Sequence, residues 1–283
     1  MARIRKLVAA LNRRGPHRVL RGDLAFAGLP GVVYTPESGF NLPGIVFGHD
    51  WLTGSARYAG LLEHLASWGI VAGAPDTQRG LVPSVMNLAF DLGVALDIVS
   101  GVRLGPGEIS VHPAKLGLAG HGFGASAAVF AAAGMSGPSG RPLAAVAALF
   151  PTATAPPAEL PAADLDVPGL ILTAPEDPKT LNSNALALDR AWDKATLRIV
   201  SKAEAGGLVE GRRLPKAVGL GGSDRKTQRA VRALLTGYLL YTLAGDKTYR
   251  DFADPDVALP RTDPVDPEAP LVTPEEKIVA LLK

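Results

Sequence analysis

Three glycines spaced two residues apart form the segment whose residue types come closest to a catalytic motif. The segment follows an apolar run at 115–119 and precedes an alanine-rich stretch, so the pattern predicts a strand, a tight turn and a helix. A nucleophilic serine is held on such a turn in Gly-x-Ser-x-Gly motifs, where the flanking glycines let strand and helix approach closely. The middle position here is glycine, so the turn carries no side chain able to attack a substrate. The five residues are Gly120, His121, Gly122, Phe123 and Gly124.

A general base for a hydroxyl nucleophile is also missing from the second half of the chain. Serine needs a neighbouring histidine that accepts its proton and an acid that orients this histidine. Ser126, about one helical turn beyond the middle glycine, is expected to be an ordinary polar residue near a helix N-terminus. No histidine follows residue 121 in the sequence; the five present are His17, His49, His64, His112 and His121.

His49 and His121, with Asp50 beside the first, raise the alternative of a metal or acid–base site. Zinc usually takes three or four protein ligands, and no third histidine stands nearby in the sequence. We expect instead that the two histidines hold loops in place through hydrogen bonds, and we predict no metal.

The same glycines match the dinucleotide fingerprint Gly-x-Gly-x-x-Ala at 120–125. That motif normally follows the first strand of its domain, and an acid about 20 residues further on, at the end of the next strand, completes it. Here the next predicted strand ends at Phe150 without an acid. The glycines at 219–222 lack the Lys-Ser/Thr of a phosphate loop. We therefore predict no nucleotide and no other cofactor.

Composition excludes several classes of protein. The 29 basic and 27 acidic side chains leave a net charge of +2, which does not indicate a strongly basic nucleic-acid binder. Apolar residues make up 47% of the chain and charged residues 20%, as in ordinary folded domains. The absence of cysteine excludes disulfides, thiolate metal sites and cysteine nucleophiles, and it fits a reducing compartment.

The amino-terminal sequence predicts neither a signal peptide nor a membrane span. Its apolar run covers only 7–11 and is followed by Asn12, Arg13 and Arg14. Signal peptides need about 7–15 apolar residues and membrane spans about 20. We expect a cytoplasmic protein with no transmembrane segment, and peripheral attachment to a membrane is the alternative.

Short apolar runs alternate with amphipathic stretches along most of the chain. This alternation predicts βαβ units and an α/β fold, with a mostly parallel eight-stranded sheet covered by helices on both faces. The predicted strands are 17–26, 31–35, 44–47, 70–74, 115–119, 143–150, 169–173 and 195–201. The predicted helices are 55–68, 82–102, 123–134, 184–193 and 223–243.

The two ends of the chain differ from the domain predicted at 17–245. Residues 1–21 carry seven Arg/Lys and no acid, and apolar residues at helical spacing predict an amphipathic helix over 2–14 within an arm at 1–16. Residues 246–283 hold six prolines and an excess of Asp/Glu, which predicts an extended acidic tail with a short helix at 274–282. The opposite charges of the two ends allow them to pair with each other or with partners.

The basic arm is predicted to bind an acidic surface, either a protein partner or anionic lipid. The alternatives are that its apolar stripe docks onto its own domain or onto a second copy, or that both ends are simply solvated. The residues expected to bind the partner are Arg3, Arg5, Lys6, Arg13 and Arg14.

Residues 25–245 resemble the α/β-hydrolase superfamily, and most closely its compact bacterial branch of dienelactone-hydrolase-like and polyester-hydrolase-like (cutinase-like) enzymes. Residues 44–51 (GIVFGHDW) are similar to the third strand of that family and its oxyanion loop, and 70–80 (IVAGAPDTQRG) to the fourth strand. The turn at 120–124 takes the place of the nucleophile elbow. Residues 170–177 (LILTAPED) resemble the strand that presents the acid of the triad.

The resemblance implies an α/β-hydrolase fold and places the family's functional positions in this chain. Glu176 or Asp177 would hold the acid position, and the general base would lie within 202–210, where there is no histidine. The oxyanion donors would be the backbone N–H groups of Phe123 and of Asp50 or Trp51, and Trp51 would line a pocket or pack at its rim. Residues 152–168 are too short for a cap domain, so the site is expected to lie open.

These residues together predict a catalytically degenerate α/β-hydrolase-fold protein that acts by binding or assembly. Glycine at position 122 fits this interpretation, because the elbow residue is held at positive φ, where glycine avoids a penalty of about 1–3 kcal/mol. One alternative is an active carboxylic-ester or lactone hydrolase with an unorthodox site. A second is a peripheral protein that binds an acidic surface through residues 1–21.

Overall fold

The computed structural model describes residues 2–137, 140–176, 182–211 and 222–265. Within these residues, nine strands form one mostly parallel sheet, which confirms the α/β class. The strands are β1 (Val19–Asp23), β2 (Gly31–Pro36), β3 (Gly39–Gly48), β4 (Val71–Pro75), β5 (Ile109–His121), β6 (Ala145–Leu149), β7 (Gly169–Thr173), β8 (Ala195–Val200) and β9 (Thr262–Asp263).

Helices cover both faces of the sheet, as the alternating pattern predicted. They are α1 (Ala2–Leu11), α2 (Ala59–Ser67), α3 (Val85–Gly101), α4 (Phe123–Met135), α5 (Glu159–Ala162), α6 (Ala185–Ala191) and α7 (Arg225–Thr242). Side chains alternate across the central strand β3, so that Ile45 and Phe47 pack toward α2 and α7 while Val46 packs toward α3 and α4. Two apolar layers therefore enclose the sheet.

The strand order is β1-β2-β4-β3-β5-β6-β7-β8-β9. The six strands from β4 to β8 in this order run parallel, while β1, β2 and β9 are antiparallel to their neighbours. The loops that follow the parallel strands consequently meet at one edge of the sheet, the carboxyl edge. The turn at 120–124 and the loop after β3 both lie there.

The prediction of eight strands is wrong, because β9 adds a ninth. This two-residue strand pairs with β8 through Ile199 opposite Asp263 and Val200 opposite Thr262. It lies in the proline-rich segment that composition assigned to an extended tail, and two residues are too few to give a periodic signal. Residues 246–265 belong to the folded domain, and Phe252 is buried against Gly237 of α7. The helix predicted at 274–282 lies outside the described residues.

Strand β3 is longer than the sequence predicted. It begins at Gly39, whereas the predicted strand begins at 44, and it therefore includes Asn41, Leu42 and Pro43. The register against β5 shifts on both sides of Leu42, and Asn41 has a φ of 58°. An irregularity of this kind lets a strand accommodate proline without ending.

The amino-terminal helix is packed into the domain. Ile4, Val8 and Leu11 of α1 are buried in the layer formed with α2 and α7. Of the predicted alternatives for the arm, docking onto its own domain is the one that this structure contains. These three residues of the apolar stripe are therefore covered by the chain itself, while Leu7 is partly buried.

Candidate functional site

The turn after β5 has the backbone geometry of a sharp strand-to-helix junction. Strand β5 ends at His121, α4 begins at Phe123, and Gly122 between them has φ 54° and ψ −115°. The expected positive φ at this position is confirmed. The N–H of Gly122 donates to the Leu149 carbonyl at 3.0 Å, which fixes the turn against the neighbouring strand β6. An L-residue would be strained here, so the local conformation favours glycine.

The two flanking glycines are required by close packing of three backbone segments. A Cβ atom at Gly120 would overlap the backbone of Gly124, and a Cβ at Gly124 would overlap the carbonyl of Gly48 at the end of β3. The expected role of these glycines, which is to let strand and helix approach closely, is confirmed. The packing also brings the loop after β3 directly over the turn.

Asp50, in the loop after β3, places its carboxylate on this turn. Its Oδ1 accepts a hydrogen bond from the N–H of Phe123 at 3.0 Å, at the first residue of α4. A Cβ atom at Gly122 would overlap the same oxygen. The N-terminus of a 13-residue helix stabilises a negative charge. A carboxylate therefore stands in the space that a side chain at position 122 would occupy.

Two of the backbone N–H groups expected to serve as oxyanion donors already have acceptors within the chain. The Phe123 N–H donates to Asp50, and the Asp50 N–H donates to the hydroxyl of Tyr58 at 3.1 Å. An oxyanion hole needs donors that point at the reacting group and have no competing acceptor. A ligand that used these two groups would first have to displace Asp50 and Tyr58.

The side chain of His121 connects the turn to the loop after β8. Its Nε2 lies 3.0 Å from the Ala205 carbonyl, which only accepts, so Nε2 carries the proton and donates. In the neutral ring, Nδ1 then accepts from the Tyr58 hydroxyl, 2.8 Å away. Tyr58 and Phe150 both contact the ring edge-on. The histidine is thus buried inside the chain, and it holds the loop 202–210 in which the resemblance places a general base.

His49 joins the loops after β3 and β4. Its Nδ1 lies 2.9 Å from the Asp50 carbonyl, and its Nε2 lies 2.6 Å from the Thr77 carbonyl. Carbonyl oxygens only accept, so the neutral ring satisfies one of these contacts at a time and the doubly protonated ring satisfies both. The two histidines hold loops by hydrogen bonds, as expected. Among the described residues, no group of three His, Cys, Asp or Glu side chains could hold a metal ion.

The remaining predicted site residues have separate surroundings. Ser126 is buried and donates to the Thr152 carbonyl at 2.6 Å, which agrees with a structural role. The indole N–H of Trp51 donates to the Leu81 carbonyl at 3.1 Å, and the ring is exposed at the rim. Glu176 follows β7 and is exposed. Asp177, the other candidate for the acid position, lies outside the described residues.

All five basic side chains predicted to bind an acidic partner are exposed on or next to α1; they are Arg3, Arg5, Lys6, Arg13 and Arg14. Arg14 forms an ion pair with Glu63 at 3.2 Å. Arg3 lines a cleft of about 890 Å³ together with Lys247 and Arg250, at the edge of the sheet opposite the turn. The charge that the arm offers to an anionic partner is therefore present, but it does not meet the residues at 120–124.

Sequence reasoning missed Tyr58 and the contact of the Asp50 carboxylate with the turn. Tyr58 lies within the helix predicted at 55–68 and was not singled out as a site residue, yet its hydroxyl contacts both Asp50 and His121. The Asp50 side chain was considered only as part of a metal or acid–base site with the two histidines. Both contacts join residues far apart in the chain, 63 positions for Tyr58–His121 and 73 for Asp50–Phe123. No spacing in the sequence signals such pairs.

Neither a scan against protein-family models nor a search of the curated proteins finds a match for this chain. The part of the chain that the structure describes contains no helix with the length and apolar character needed to cross a membrane.

Proposed function

We propose that this chain is a catalytically inactive relative of the α/β-hydrolases that acts by binding or assembly. The observation that carries the proposal is the position of Asp50. Its carboxylate lies where the side chain of a nucleophile at position 122 would project, and it accepts a hydrogen bond from the N–H of Phe123. The chain thus fills its own reaction centre with a negative charge.

The surroundings of Asp50 support this proposal. Acyl transfer needs a nucleophile, a base that accepts its proton and donors that stabilise the oxyanion. Gly122 offers no nucleophile, and both nitrogens of His121 are engaged by Tyr58 and Ala205. The donor at Phe123 is bound to Asp50. The nucleophile is missing because of residue identity, and the base and the donor are each engaged by a contact within the chain.

The alternative function is an ester or lactone hydrolase with an unorthodox site, and one observation favours it. Asp50 is a carboxylate at the nucleophile position, and carboxylates form covalent intermediates in some enzymes. Attack by Asp50 would form an acyl-carboxylate anhydride and expel an alkoxide. The carboxylate would also have to leave the Phe123 amide, which is the donor that the developing oxyanion needs. The hydrogen bond that holds Asp50 on the Phe123 amide therefore opposes the use of Asp50 as a nucleophile.

Pre-steady-state kinetics on the unmodified protein separate these two functions. We expect no burst of nitrophenol from nitrophenyl acetate, and a steady rate equal to that of the Asp50→Asn variant. A burst stoichiometric with protein that Asp50→Asn abolishes would establish Asp50 as a nucleophile and refute the inactive assignment.

Chemical rescue tests whether Asp50 fills an anion site. The Asp50→Ala variant exposes the Phe123 amide and the N-terminus of α4, so acetate should bind there and raise the melting temperature of the variant. The unmodified protein should show no such gain, because its own carboxylate occupies the site. Asp166→Ala is the matched control, since that side chain is 91% exposed and pairs with Lys194 at the surface. An equal response of all three proteins to acetate would contradict a site filled by Asp50.

A further inference from the structure

An exposed apolar patch lies beside the turn, at the carboxyl edge of the sheet. Three segments contribute to it: the loop after β3, the loop after β4 and the first two turns of α3. Six of the ten large apolar side chains that are exposed among the described residues belong to this patch. They are Trp51, Leu52, Leu81, Val82, Met86 and Phe90.

Contacts and spacing make these residues one surface. The indole N–H of Trp51 donates to the Leu81 carbonyl, which ties the first two segments together. Val82 lies two residues before Ser84, whose hydroxyl caps α3 by accepting from the N–H of Asn87. Met86 and Phe90 are four residues apart on α3, so they lie on the same face of the helix.

The patch is large for a monomer, and packing in the core does not account for it. Val82 is 95% exposed, Leu81 76% and Phe90 72%, so these side chains contribute little to the core. The six side chains together present roughly 600 Å² of apolar surface, the upper end of what a monomer normally exposes in one patch. Aromatic residues and methionine, which interfaces favour, account for three of the six.

Size and charge favour a second copy of this chain as the occupant. A standard protein interface buries about 800 Å² on each partner, and the patch with a polar rim reaches that size. The segments that carry it hold two cations, Arg57 and Arg79, and three acids, Asp50, Asp76 and Asp91, and Arg79 pairs with Asp76 within the chain at 3.0 Å. A two-fold interface uses both signs, because the exposed Arg57 of one copy can meet an acid of the other copy. An anionic membrane favours an excess of cations, which this rim lacks.

We propose that two copies of the chain associate through this patch, with α3 of one copy facing α3 of the other. The inference deepens the proposed function and rests on it, because Trp51 directly follows Asp50 and the interface would cover the opening that an enzyme leaves to its substrate. Assembly would then use the carboxyl edge of the sheet, where Asp50 fills the reaction centre.

The oligomeric state of the full chain tests the proposal. Light scattering after size exclusion, over a wide range of protein concentrations, should give twice the chain mass for the unmodified protein. Phe90→Glu places a charge in the patch and should raise the dissociation constant of the dimer about 100-fold or more. Val82→Glu should act in the same direction. Val82 is almost fully exposed before α3 begins, so this variant keeps the test valid if Phe90→Glu fails to fold.

Phe40→Glu is the matched control. Phe40 is also an exposed phenylalanine, at 59%, but it lies at the start of β3 on the opposite edge of the sheet, with Arg103 over its ring. This variant should remain a dimer. A monomeric unmodified protein, or a dimer that survives both patch variants, would overturn the proposal. Sedimentation of a monomer with phosphatidylserine vesicles would overturn it in favour of a membrane surface. A dimer that nevertheless shows an Asp50-dependent burst would refute the inactive assignment alone.

Discussion

The carboxylate of Asp50 lies directly over Gly122, in the space that any larger residue at position 122 would need. Oδ1 of Asp50 is bound to the next amide along the chain, that of Phe123, and a Cβ on Gly122 would overlap this oxygen. Gly122 is therefore required by its neighbour across the turn as well as by its own positive φ. A backbone preference and a side-chain contact act on the same position.

Gly122→Ala should destabilise the protein by more than backbone strain alone. The positive φ costs about 1–3 kcal/mol, and the overlap with Asp50 adds to it. In an Asp50→Gly background the overlap is gone, so the cost of Gly122→Ala should fall by about 1–3 kcal/mol in a double-mutant cycle measured by urea unfolding. Gly28→Ala is the control, since Gly28 has φ 85° and open space around it. Its cost should not depend on Asp50. Additive effects of Gly122→Ala and Asp50→Gly would contradict the overlap.

Tyr58→Phe should reduce stability by about 1–3 kcal/mol, although it removes a single oxygen. The hydroxyl contacts both the Asp50 N–H and Nδ1 of His121, and the variant leaves these two groups without this partner in a largely buried site. Chemical denaturation gives the stability, and the imidazole nitrogen signals of His121 report the loss of the bond at Nδ1. Tyr241→Phe, at a partly exposed tyrosine, is the control. Unchanged His121 signals would show that the hydroxyl is not bonded to the ring.

Acid should destabilise the protein through His64. Burial, followed by the nearby charge of Arg232, lowers the pKa of His64 from 6.5 to about 4, so the folded state keeps this ring neutral while the unfolded state binds a proton. The contribution of His64 to the free energy of unfolding is complete above about pH 6.5 and is lost as the pH falls toward 4. Protonation of this residue therefore lowers the free energy of unfolding by about 3 kcal/mol over this range.

His64→Gln should flatten the dependence of the unfolding free energy on pH between about 4 and 6.5. His17→Gln is the control, because His17 is exposed. Stability curves at several pH values make the comparison. A slope that is the same in His64→Gln and in the unmodified protein would rule out His64 as the group responsible.

Arg198→Met should loosen the segment that follows α7. The buried guanidinium of Arg198 donates to the carbonyls of Asp254 at 2.6 Å and Val257 at 2.9 Å, and to that of Asp251 at 3.5 Å. Burial lowers the pKa of Arg198 to about 10, which still leaves it charged near neutral pH. Loss of these bonds should cost about 3 kcal/mol and raise hydrogen exchange in 247–257. Arg18→Met, at an arginine whose side chain is 84% exposed and pairs with Glu37 at the surface, should change neither quantity.

Elements that depend on their own local sequence were predicted, whereas features that depend on contacts between distant residues were not. Eight of the nine strands were anticipated, because runs such as 169–173 are apolar in their own local sequence. The missed strand, β9, exists only through pairing with β8 and has no local signal. The arm at 1–16 was recognised as a helix for a local reason, but its docking onto α2 and α7 depends on where those helices lie.

The sequence by itself determined that position 122 carries no nucleophile and that no histidine follows residue 121, since these are facts of residue identity. The positive φ at this turn was expected from its resemblance to a nucleophile elbow, and the structure contains it at Gly122. Only the tertiary structure decided that the carboxylate of Asp50 lies in the space beside Gly122 and that Tyr58 and His121 hold the adjoining loops in place. Those contacts join residues 63 and 73 positions apart, and they exist because the order of strands in the sheet brings the ends of β3 and β5 together.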